Sequence, residues 1–374
     1  MSQSQSEGKA KFQVGEAFYN PRGEIVRDLG VLAATVYKQQ QGKLRILDVM
    51  AGTGVRSLRY YLEAQADFLW VNEGNHQLSQ LLSTNLSRAI LESDYRLTHL
   101  DAHRVFFDCF NRRDYYDLVD VDCFGTASPY LSTMLWATKI GGLMYLTSTD
   151  GRTLAGRIPA KSLQAYGAYP RSHPALQEQA LRLIIGSVAQ QAGSKNLGVE
   201  PIWSYFAGET YRIMFRLLPQ TNLDAQNYGF LGYCHSCGDY QVVNWQQLGK
   251  TVCPHDRHSL VISGAMWLGS LHNSEYLQVM RELANQWQWD KVVKLLSTMI
   301  AEAQLPPYFF TLQEIGKRGK LDLPPKAKII AALQEQGFQA SSSHINPEAI
   351  KTTASIHTCI AIAKELAQKI SQKS

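Results

Sequence analysis

An acidic segment, Val119-Asp120-Val121-Asp122-Cys123-Phe124-Gly125-Thr126, offers the clearest chemistry in this chain. Apolar and acidic residues alternate from Val119 to Asp122, which predicts the exposed end of a β-strand. Gly125 permits a sharp turn that would project Phe124 over a pocket. A carboxylate there can accept hydrogen bonds from a planar amino group while the ring stacks on the same ligand. The segment suits the alkylation of an aromatic amine, and an acidic strand-end cap is the structural alternative.

A second segment, residues 44–59, has a pattern that can hold a nucleotide-like cofactor. It combines a short apolar stretch, a turn containing Gly52 and Gly54, and apolar residues at helical spacing. The glycines allow close approach of the backbone, and the helix presents amide groups at its N-terminus. Nineteen residues past Gly54, the apolar segment 68–72 leads to Glu73, which can accept hydrogen bonds from both ribose hydroxyls. NAD and S-adenosylmethionine fit these residues equally well.

A third acidic position strengthens the case for one ligand-binding edge. The predicted strand 96–100 is followed by Asp101 and Ala102, where an acid can accept from an adenine amino group and a small residue leaves room for the ring. Acids after three successive strands would line the carboxyl edge of an open parallel sheet. A dehydrogenase does not need the Asp122–Gly125 turn, whereas an amino-methyltransferase does. The pattern therefore favours methyl transfer.

Over most of its length the sequence resembles the tRNA guanine-26 N2-dimethyltransferases. The shared motifs are Phe18-Tyr19-Asn20-Pro21, Val26-Arg27-Asp28-Leu29, and residues 51–60, 119–126, 147–156 and 341–352. The resemblance implies a Rossmann-like class I methyltransferase sheet. It also implies contacts to S-adenosylmethionine from Arg27, Arg56, Glu73, Asp101 and Ala102. By the same resemblance, Asp122 is the catalytic carboxylate, and Phe18 and Phe124 enclose a guanine turned out of the tRNA core.

Two residues near the site depart from the family pattern. Cys123 replaces a proline, so the backbone after Asp122 should be held less rigidly. Val26 replaces an asparagine, which removes a hydrogen-bonding side chain near the cofactor. A non-catalytic RNA-binding protein with a decayed pocket therefore stays open as an alternative, as does methylation of another guanine or of an adenine. Whether one or two methyl groups are added also stays open.

Cysteine spacing predicts a degenerate zinc knuckle. Cys234-His235-Ser236-Cys237 is a C-x-x-C pair, and Cys253-Pro254-His255-Asp256 follows at the distance of a second pair. Zinc could be completed by Asp256, His255 or His258, because nitrogen and carboxylate ligands are acceptable. Bound zinc at Cys234, Cys237, Cys253 and Asp256 and a vestigial knuckle without metal are both open. Methyl transfer needs no Lewis acid, so a catalytic role for zinc is not expected.

Length and composition predict a two-domain enzyme. The chain has 374 residues, of which 45% are hydrophobic. We expect a methyltransferase domain over 1–219 and, after a linker at 219–226, a C-terminal α+β tRNA-binding domain over 220–374 that carries the knuckle as an insert. The polar first ten residues, the lack of a run of about 20 apolar residues and the metal-like cysteine spacing predict a cytoplasmic protein without a membrane partner. No obligate protein partner is evident, and a monomer is expected.

Basic residues cluster in two places, although the net charge is only +5. The first cluster has interleaved Tyr166 and Tyr169, and the second surrounds two prolines. Their members are Arg152, Arg157, Lys161 and Arg171 in the first, and Lys317, Arg318, Lys320, Lys326 and Lys328 in the second. Both are predicted to contact RNA phosphates, and the tyrosines of the first cluster to stack on a displaced base, with a solvated surface as the alternative.

Periodicity predicts the remaining elements near the site. Leucine spacing indicates helices after Glu73 and after Pro174. An antiparallel pair is expected over 198–206 and 211–218, joined by a turn at Gly208, and two further helices over 273–287 and 289–302.

Overall fold

Alternating strands and helices build the first part of the chain around one central sheet. The structure, a computed structural model, describes residues 4–371. The elements up to residue 218 are β1 (Ser4–Glu7), β2 (Ala10–Gln13), α1 (Glu24–Gln41), β3 (Arg45–Asp48), α2 (Val55–Leu62), β4 (Phe68–Asn72), α3 (Ser79–Ser87), β5 (Tyr95–Thr98), α4 (Ala102–Arg112), β6 (Tyr116–Val121), β7 (Thr138–Ser148), α5 (Gly151–Leu154), α6 (Pro159–Tyr166), α7 (Leu176–Gly193), β8 (Gly198–Ala207) and β9 (Thr210–Leu218).

The central sheet has seven strands in the order β5-β4-β3-β6-β7-β9-β8. The five strands from β5 to β7 are parallel, and the β8–β9 hairpin closes the sheet in antiparallel pairing. The turn at Gly208 has a φ of 64°, a left-handed conformation that glycine adopts without strain. The predicted doubly wound sheet and its terminal hairpin are therefore confirmed.

One local prediction about the strand before Asp122 is wrong. Every residue of β6 is buried, so Val119 to Val121 do not form an exposed strand end. The strand lies at the centre of a parallel sheet that is covered on both faces, which removes the usual alternation of exposed and buried side chains. Asp122 is the first residue beyond the strand. The third acidic position also shifts slightly, because β5 ends at Thr98 rather than at residue 100.

The rest of the chain forms two small sheets and five helices within the described residues. The elements are β10 (Tyr228–Tyr233), β11 (Tyr240–Val243), β12 (Val261–Trp267), α8 (Ser274–Gln286), α9 (Asp290–Glu302), β13 (Phe310–Thr311), α10 (Leu312–Gly319), α11 (Lys326–Glu335), β14 (Ala340–Ser342), β15 (Ala349–Thr352) and α12 (Ile356–Ser371). The sheets have the orders β11-β10-β12 and β13-β15-β14, all antiparallel. Helices α8 and α9 confirm the two helices expected there.

Short 3-10 helices occupy several of the connections. They cover Pro21–Gly23, His76–Leu78, Glu92–Asp94, Ser128–Tyr130, Met134–Trp136 and Trp245–Gln247.

Buried side chains connect the two parts of the chain across residue 219. Both hydrophobic clusters contain residues from each side of that position. The Tyr276 hydroxyl on α8 donates to the carbonyl oxygen of Ala33 on α1 at 2.7 Å. Lys351 on β15 forms a buried ion pair of 2.6 Å with Glu178 on α7. The division at 219 stays a prediction, and the packing joins the two parts through shared cores. No helix within residues 4–371 is long and apolar enough to cross a membrane.

Candidate active site

The glycine loop between β3 and α2 adopts a backbone that requires its glycines. Gly52 and Gly54 have φ values of 54° and 81°, in the left-handed region. A Cβ atom on Gly54 would lie 2.7 Å from Cδ1 of Leu82, closer than packed atoms approach. The amide of Gly52 donates to Oε2 of Glu73 at 2.8 Å. This hydrogen bond links the glycine loop to Glu73.

Backbone amides orient the acids that follow β4 and β5. Glu73 also accepts at Oε1 from the amide of Asn75 at 2.8 Å. Asp101 caps α4 by accepting from the amide of His103 at 2.9 Å, and Ala102 starts the helix. Because β4, β5 and β6 are parallel strands of one sheet, Glu73, Asp101 and Asp122 all emerge at its carboxyl edge. The structure therefore brings the three predicted acidic positions to one edge.

Arg56 holds the carboxylate of Asp122. Its Nη2 lies 2.9 Å from Oδ2 of Asp122, and its Nη1 lies 3.1 Å from Oδ2 of Asp120. The guanidinium is 5% exposed and lies over the Tyr145 ring, 4.4 Å from its centroid. The Asp122 side chain is 32% exposed, whereas that of Asp120 is fully buried. Arg56 thus fixes Asp122 from the protein interior and leaves part of its carboxylate open.

The two acids that Arg56 contacts differ in the direction of their pKa shifts. Burial alone would raise the pKa of Asp122, but the positive charges of Arg56 and Arg212 hold it below its ordinary value. The pKa of Asp120 is raised by its burial, which the nearby Arg56 only partly offsets. Tyr60 donates its hydroxyl to Oδ2 of Asp120 at 2.7 Å. Of the two acids that Arg56 contacts, Asp122 is therefore the one that ionises more readily.

A second buried acid lies behind this pair. Burial and the neighbouring Asp120 raise the pKa of Asp48 to about 8. Ser57 donates to Oδ2 of Asp48 at 2.6 Å. Among the described residues, Oδ1 of Asp48 and Oδ1 of Asp120 have no hydrogen-bond partner. Two such carboxyls cannot both be charged at low cost, so a proton is retained behind the site at neutral pH.

Hydrogen bonds from the end of β7 hold the turn that carries Phe124. The amide of Gly125 donates to Oγ1 of Thr149 at 2.7 Å, and the amide of Thr149 donates to the Gly125 carbonyl at 2.9 Å. The Cys123 thiol donates to the carbonyl oxygen of Thr147 at 2.9 Å. Phe124 is left 96% exposed. A thiol contact thus restrains the backbone at the position where the family has a proline ring.

The turn opens onto a basic cavity. Phe124 lines a space of about 640 Å³ together with Asp150, Arg152 and Lys161. Two residues of the first basic cluster therefore lie beside the exposed ring. Tyr166 is only 3% exposed and its hydroxyl contacts Thr126 at 3.0 Å, so its ring is not available to stack on a base as expected. Through this contact with Thr126, Tyr166 instead supports the turn that carries Phe124.

Phe18 lies beside the glycine loop. Its side chain is 88% exposed, and its carbonyl oxygen lies 4.0 Å from the position that a Cβ on Gly52 would take. Phe18 and Phe124 are thus both exposed aromatic rings near the carboxyl edge.

Arg27 is held by the N-terminal hairpin. Its Nε donates to Oε1 of Glu7 at 2.6 Å, its Nη2 donates to the Asn20 carbonyl at 3.1 Å, and its guanidinium lies over Tyr19. The structure therefore places Arg27 on Glu7 and Arg56 on Asp122. Their contacts to a cofactor stay predictions.

Two acids of this site were not anticipated from the sequence. Asp120 is two residues from Asp122, a spacing that puts both side chains on the same side of an extended chain and could have indicated a shared cation. Glu7 carries no such signal, because it reaches Arg27 and Arg59 only through tertiary folding.

The predicted knuckle ligands converge in the second part of the chain. The ligand atoms of Cys234, Cys237, Cys253 and Asp256 lie within 4.8 Å of one another. The Cys237 and Cys253 sulfurs are 3.4 Å apart, and the Cys234 sulfur is 3.5 Å from both carboxylate oxygens of Asp256. Zinc–sulfur bonds of about 2.3 Å imply ligand separations of roughly 3.8 Å, so this donor set suits zinc.

The two halves of the knuckle have the same backbone pattern. The Gly238 amide donates to the Cys234 carbonyl at 2.8 Å, and the Arg257 amide donates to the Cys253 carbonyl at 3.0 Å. Gly238 and Arg257 both have positive φ values. Asp256 thus takes the place in the second half that Cys237 takes in the first. His255 instead contacts Asp239 at 2.7 Å, so Asp256 fits the fourth position best.

The architecture and the edge residues define the class of protein. A five-stranded parallel sheet closed by an antiparallel hairpin, with a glycine loop and acids at its carboxyl edge, is a Rossmann-like class I methyltransferase fold. Residues 2–364 match the family model described as N2,N2-dimethylguanosine tRNA methyltransferase, and the chain belongs to this family. The match decides between the methyl-transfer and nicotinamide chemistries that the glycine loop left open.

Similar proteins cover nearly the whole chain. The tRNA (guanine(26)-N(2))-dimethyltransferase of Pyrococcus abyssi is 28% identical over 376 residues, which cover 93% of this chain and 95% of that protein. The protein of the same description from Methanothermobacter thermautotrophicus is 25% identical and covers 91% and 90%, respectively. The structure of Trm1 from Pyrococcus horikoshii with S-adenosyl-L-methionine has a TM-score of 0.83 and 26% identity, covering 96% of this chain and 99% of that one.

Proposed function

We propose that this protein transfers methyl groups from S-adenosylmethionine to the exocyclic N2 amine of guanine 26 in tRNA. The observation that carries the proposal is the carboxylate of Asp122, which Arg56 holds at 2.9 Å beside the exposed ring of Phe124. Family membership and the descriptions of the relatives support the substrate and the position.

The glycine loop and the edge acids fit the methyl donor. Glu73 is oriented by two backbone amides and would accept from the ribose, while Asp101 and Ala102 would hold the adenine. Arg27 and Arg56 would contact the methionine moiety in addition to the acids that hold them. The donor supplies an electrophilic methyl group, and every other requirement of the reaction falls to side chains of this chain.

Asp122 would act mainly by orienting the amine. An exocyclic guanine amine is a weak nucleophile, because its lone pair is delocalised into the ring. A carboxylate that accepts its N–H groups favours the geometry in which nitrogen can attack. The lowered pKa makes Asp122 a weak base. The amine therefore loses its proton during or after methyl transfer, and the proton passes to the Asp122 carboxylate or to water at its exposed side. Phe18 and Phe124 would enclose the base.

The basic residues beside Phe124 would hold the RNA. An amine inside stacked RNA cannot reach a donor at the sheet edge, so the guanine must turn out of the tRNA core. Arg152 and Lys161 line the cavity and can attract the flanking phosphates. Lys317, Lys320 and Lys364 line a second cavity of about 630 Å³ next to the knuckle and would contact the tRNA backbone.

Arg318, from the predicted second cluster, has a different role. Its Nη1 donates to the Ser236 carbonyl at 2.6 Å, and its Nε donates to Glu314 at 2.8 Å. Arg318 therefore ties the knuckle to α10 and is engaged within the protein. We do not assign it a phosphate contact.

Zinc at the knuckle would be structural. The residues that would hold it are Cys234, Cys237, Cys253 and Asp256. Burial raises the pKa of the Cys237 thiol to about 12, so binding must displace its proton and is expected to weaken as pH falls. A cytoplasmic location is proposed from the tRNA substrate. The monomeric state stays a prediction.

The proposal is tested by methyl transfer to unmodified tRNA transcripts that carry G or A at position 26, with product nucleosides identified by mass spectrometry. Dimethylguanosine that appears with G26 and disappears with A26 is the expected result. Methylguanosine that persists with A26 would show that another guanine is the target. Binding of tRNA without any methylation would contradict the enzyme and favour the decayed-pocket alternative.

A further inference from the structure

Three aromatic side chains cluster on the outer surface of α4 and the loop before β7. Phe107 and Phe110 are 44% and 50% exposed. Their rings lie 5.0 Å and 5.3 Å from the ring of Trp136, which is partly buried. The two phenylalanines therefore flank one tryptophan at the protein surface.

The amphipathic pattern of α4 does not require these rings. The helix buries Val105, Phe106 and Cys109 against the core, so its opposite face would ordinarily be polar. A single exposed phenylalanine is common on protein surfaces, whereas adjoining exposed rings mark an interaction site. The cluster is thus a surface with a partner to be identified.

The border of this cluster is mainly basic. The ammonium of Lys195 lies 6.0 Å from the centroid of the Trp136 ring. Arg104 lies three residues before Phe107 on α4, Arg113 follows Phe110 by three residues, and both are exposed. Asp108 lies among them on the same helix and is partly buried. Exposed rings with a cationic border suit a strand that offers flat bases and phosphates.

The cluster is continuous with the catalytic edge. His103, in the first turn of α4, stacks on Tyr130 with centroids 5.1 Å apart and an interplanar angle of 23°. Tyr130 ends the short helix Ser128–Tyr130, which directly follows the Phe124 turn, and His103 follows Asp101 by two residues, so this ring pair lies beside the edge. Phe107 lies roughly 8 Å further along the helix axis than Ala102. A series of rings thus runs from the edge down α4.

We propose that this surface binds an unpaired segment of the RNA substrate, with bases stacked on Phe107, Phe110 and Trp136. Phosphates of the same segment would lie near Arg104, Arg113 and Lys195. The inference rests on the proposed function and adds to it a second RNA contact, which neither the Phe124 cavity nor the knuckle provides.

The test is the equilibrium affinity for unmodified tRNA of a Phe107→Ser/Phe110→Ser variant, measured without turnover at several salt concentrations. Loss of a stacked base weakens binding roughly fivefold to a hundredfold. We expect Kd to rise at least about tenfold, with an unchanged salt slope and an unchanged Kd for S-adenosylmethionine. An Arg104→Gln/Arg113→Gln variant should weaken binding and lower the salt slope by about 0.7 for each phosphate that the variant no longer neutralises.

Two further variants control for structure. Val279→Ser replaces an exposed apolar residue on α8 and should bind tRNA as the wild type does. Phe107→Leu/Phe110→Leu keeps apolar bulk and removes the rings, so it should also weaken tRNA binding. It provides the test if the serine variant fails to fold. Wild-type tRNA affinity in the leucine and folded serine variants would overturn the proposal. Altered sedimentation with unaltered tRNA affinity would assign the surface to protein association and would also overturn it.

The result is separable from the test of catalysis. A wild-type protein that binds tRNA through these rings but transfers no methyl group would refute the proposed activity and leave this surface standing. Methylation of tRNA by the wild-type protein, together with unchanged tRNA affinity in the ring variants, would support the proposed activity and refute this surface.

Discussion

The carboxyl edge of the central sheet holds a cluster of acids around Arg56, and the knuckle holds three thiols and one acid. The two clusters balance charge in different ways. At the edge, Arg56 lies between Asp120 and Asp122, at 3.1 Å and 2.9 Å. At the knuckle, three thiols and Asp256 converge within 4.8 Å without a basic side chain among the four. The edge carries its own counter-charge, whereas the knuckle needs a cation once its thiols ionise.

This difference predicts different roles for the two regions: the edge positions reacting groups, and the knuckle stabilises the fold. Arg56 and Asp122 are fixed by a buried ion pair, so the edge is organised before any ligand arrives. The knuckle has thiols with raised pKa values, and a metal ion that binds them only in the folded chain would contribute directly to folding. Changes at the edge should therefore alter catalysis, and changes at the knuckle should alter stability.

The largest effect is expected for Asp122→Asn, which keeps the size of the side chain and removes its charge. Methyl transfer should fall about 10²–10⁴-fold in kcat/KM, because the amine loses its charged acceptor. The Kd for S-adenosylmethionine should stay near the wild-type value. Steady-state kinetics with tRNA and calorimetric titration of the donor measure the two. Asp290→Asn, at the exposed start of α9, is the matched control, and full activity of Asp122→Asn would remove Asp122 from the mechanism.

Removal of the knuckle metal should have the next largest effect. Purified wild-type protein is expected to contain one zinc ion per chain, and Cys253→Ser to contain none, by elemental analysis. Metal loss should lower the free energy of unfolding by about 2.7 kcal/mol when free zinc stands at 100 times its Kd. The Kd for S-adenosylmethionine should not change.

Cys359→Ala is the control for losing a buried thiol outside the cluster. A wild-type protein that is free of metal, with an unfolding midpoint that a chelator leaves unchanged, would contradict the zinc assignment. It would support the vestigial knuckle instead.

A smaller effect is expected for Asp48→Asn behind the catalytic edge. The folded pKa of Asp48, about 8, lies above its ordinary value of 3.8. Folded protein therefore keeps a proton that the unfolded chain has released, so wild-type stability declines as pH rises from about 4 towards 8. Asparagine mimics the protonated acid and should remove about 1–2 kcal/mol of this decline. Denaturant unfolding at pH 5 and pH 8 measures it, and equal pH dependence in both proteins would show that Asp48 is ionised.

Much of the catalytic edge could be predicted because its signals are local. Gly52 and Gly54 permit a backbone turn, and Glu73, Asp101 and Asp122 each follow a short apolar stretch. Parallel strands bring such positions to one edge whatever the details of packing. The knuckle ligands also follow from spacing, since a C-x-x-C turn places two sulfurs together by itself.

The partners of the charged residues could not be predicted in the same way. Arg56 proved to hold Asp122, Arg27 proved to hold Glu7, and Arg318 proved to bind the knuckle backbone. These contacts join segments distant in sequence, and a pattern in one segment carries no information about which distant side chain it meets.

The amino-acid sequence by itself determined the order of strands and helices, the acids at strand ends, the exposed position of Phe124 after a tight turn and the four knuckle ligands. Only the tertiary structure decided that Asp122 ionises more readily than Asp120, that Tyr166 is buried and that rings line the outer face of α4. The physical reason is the sequence distance over which each kind of interaction acts. Periodicity and turn chemistry act within a few residues, whereas charge balance and burial depend on groups that only the folded chain brings together.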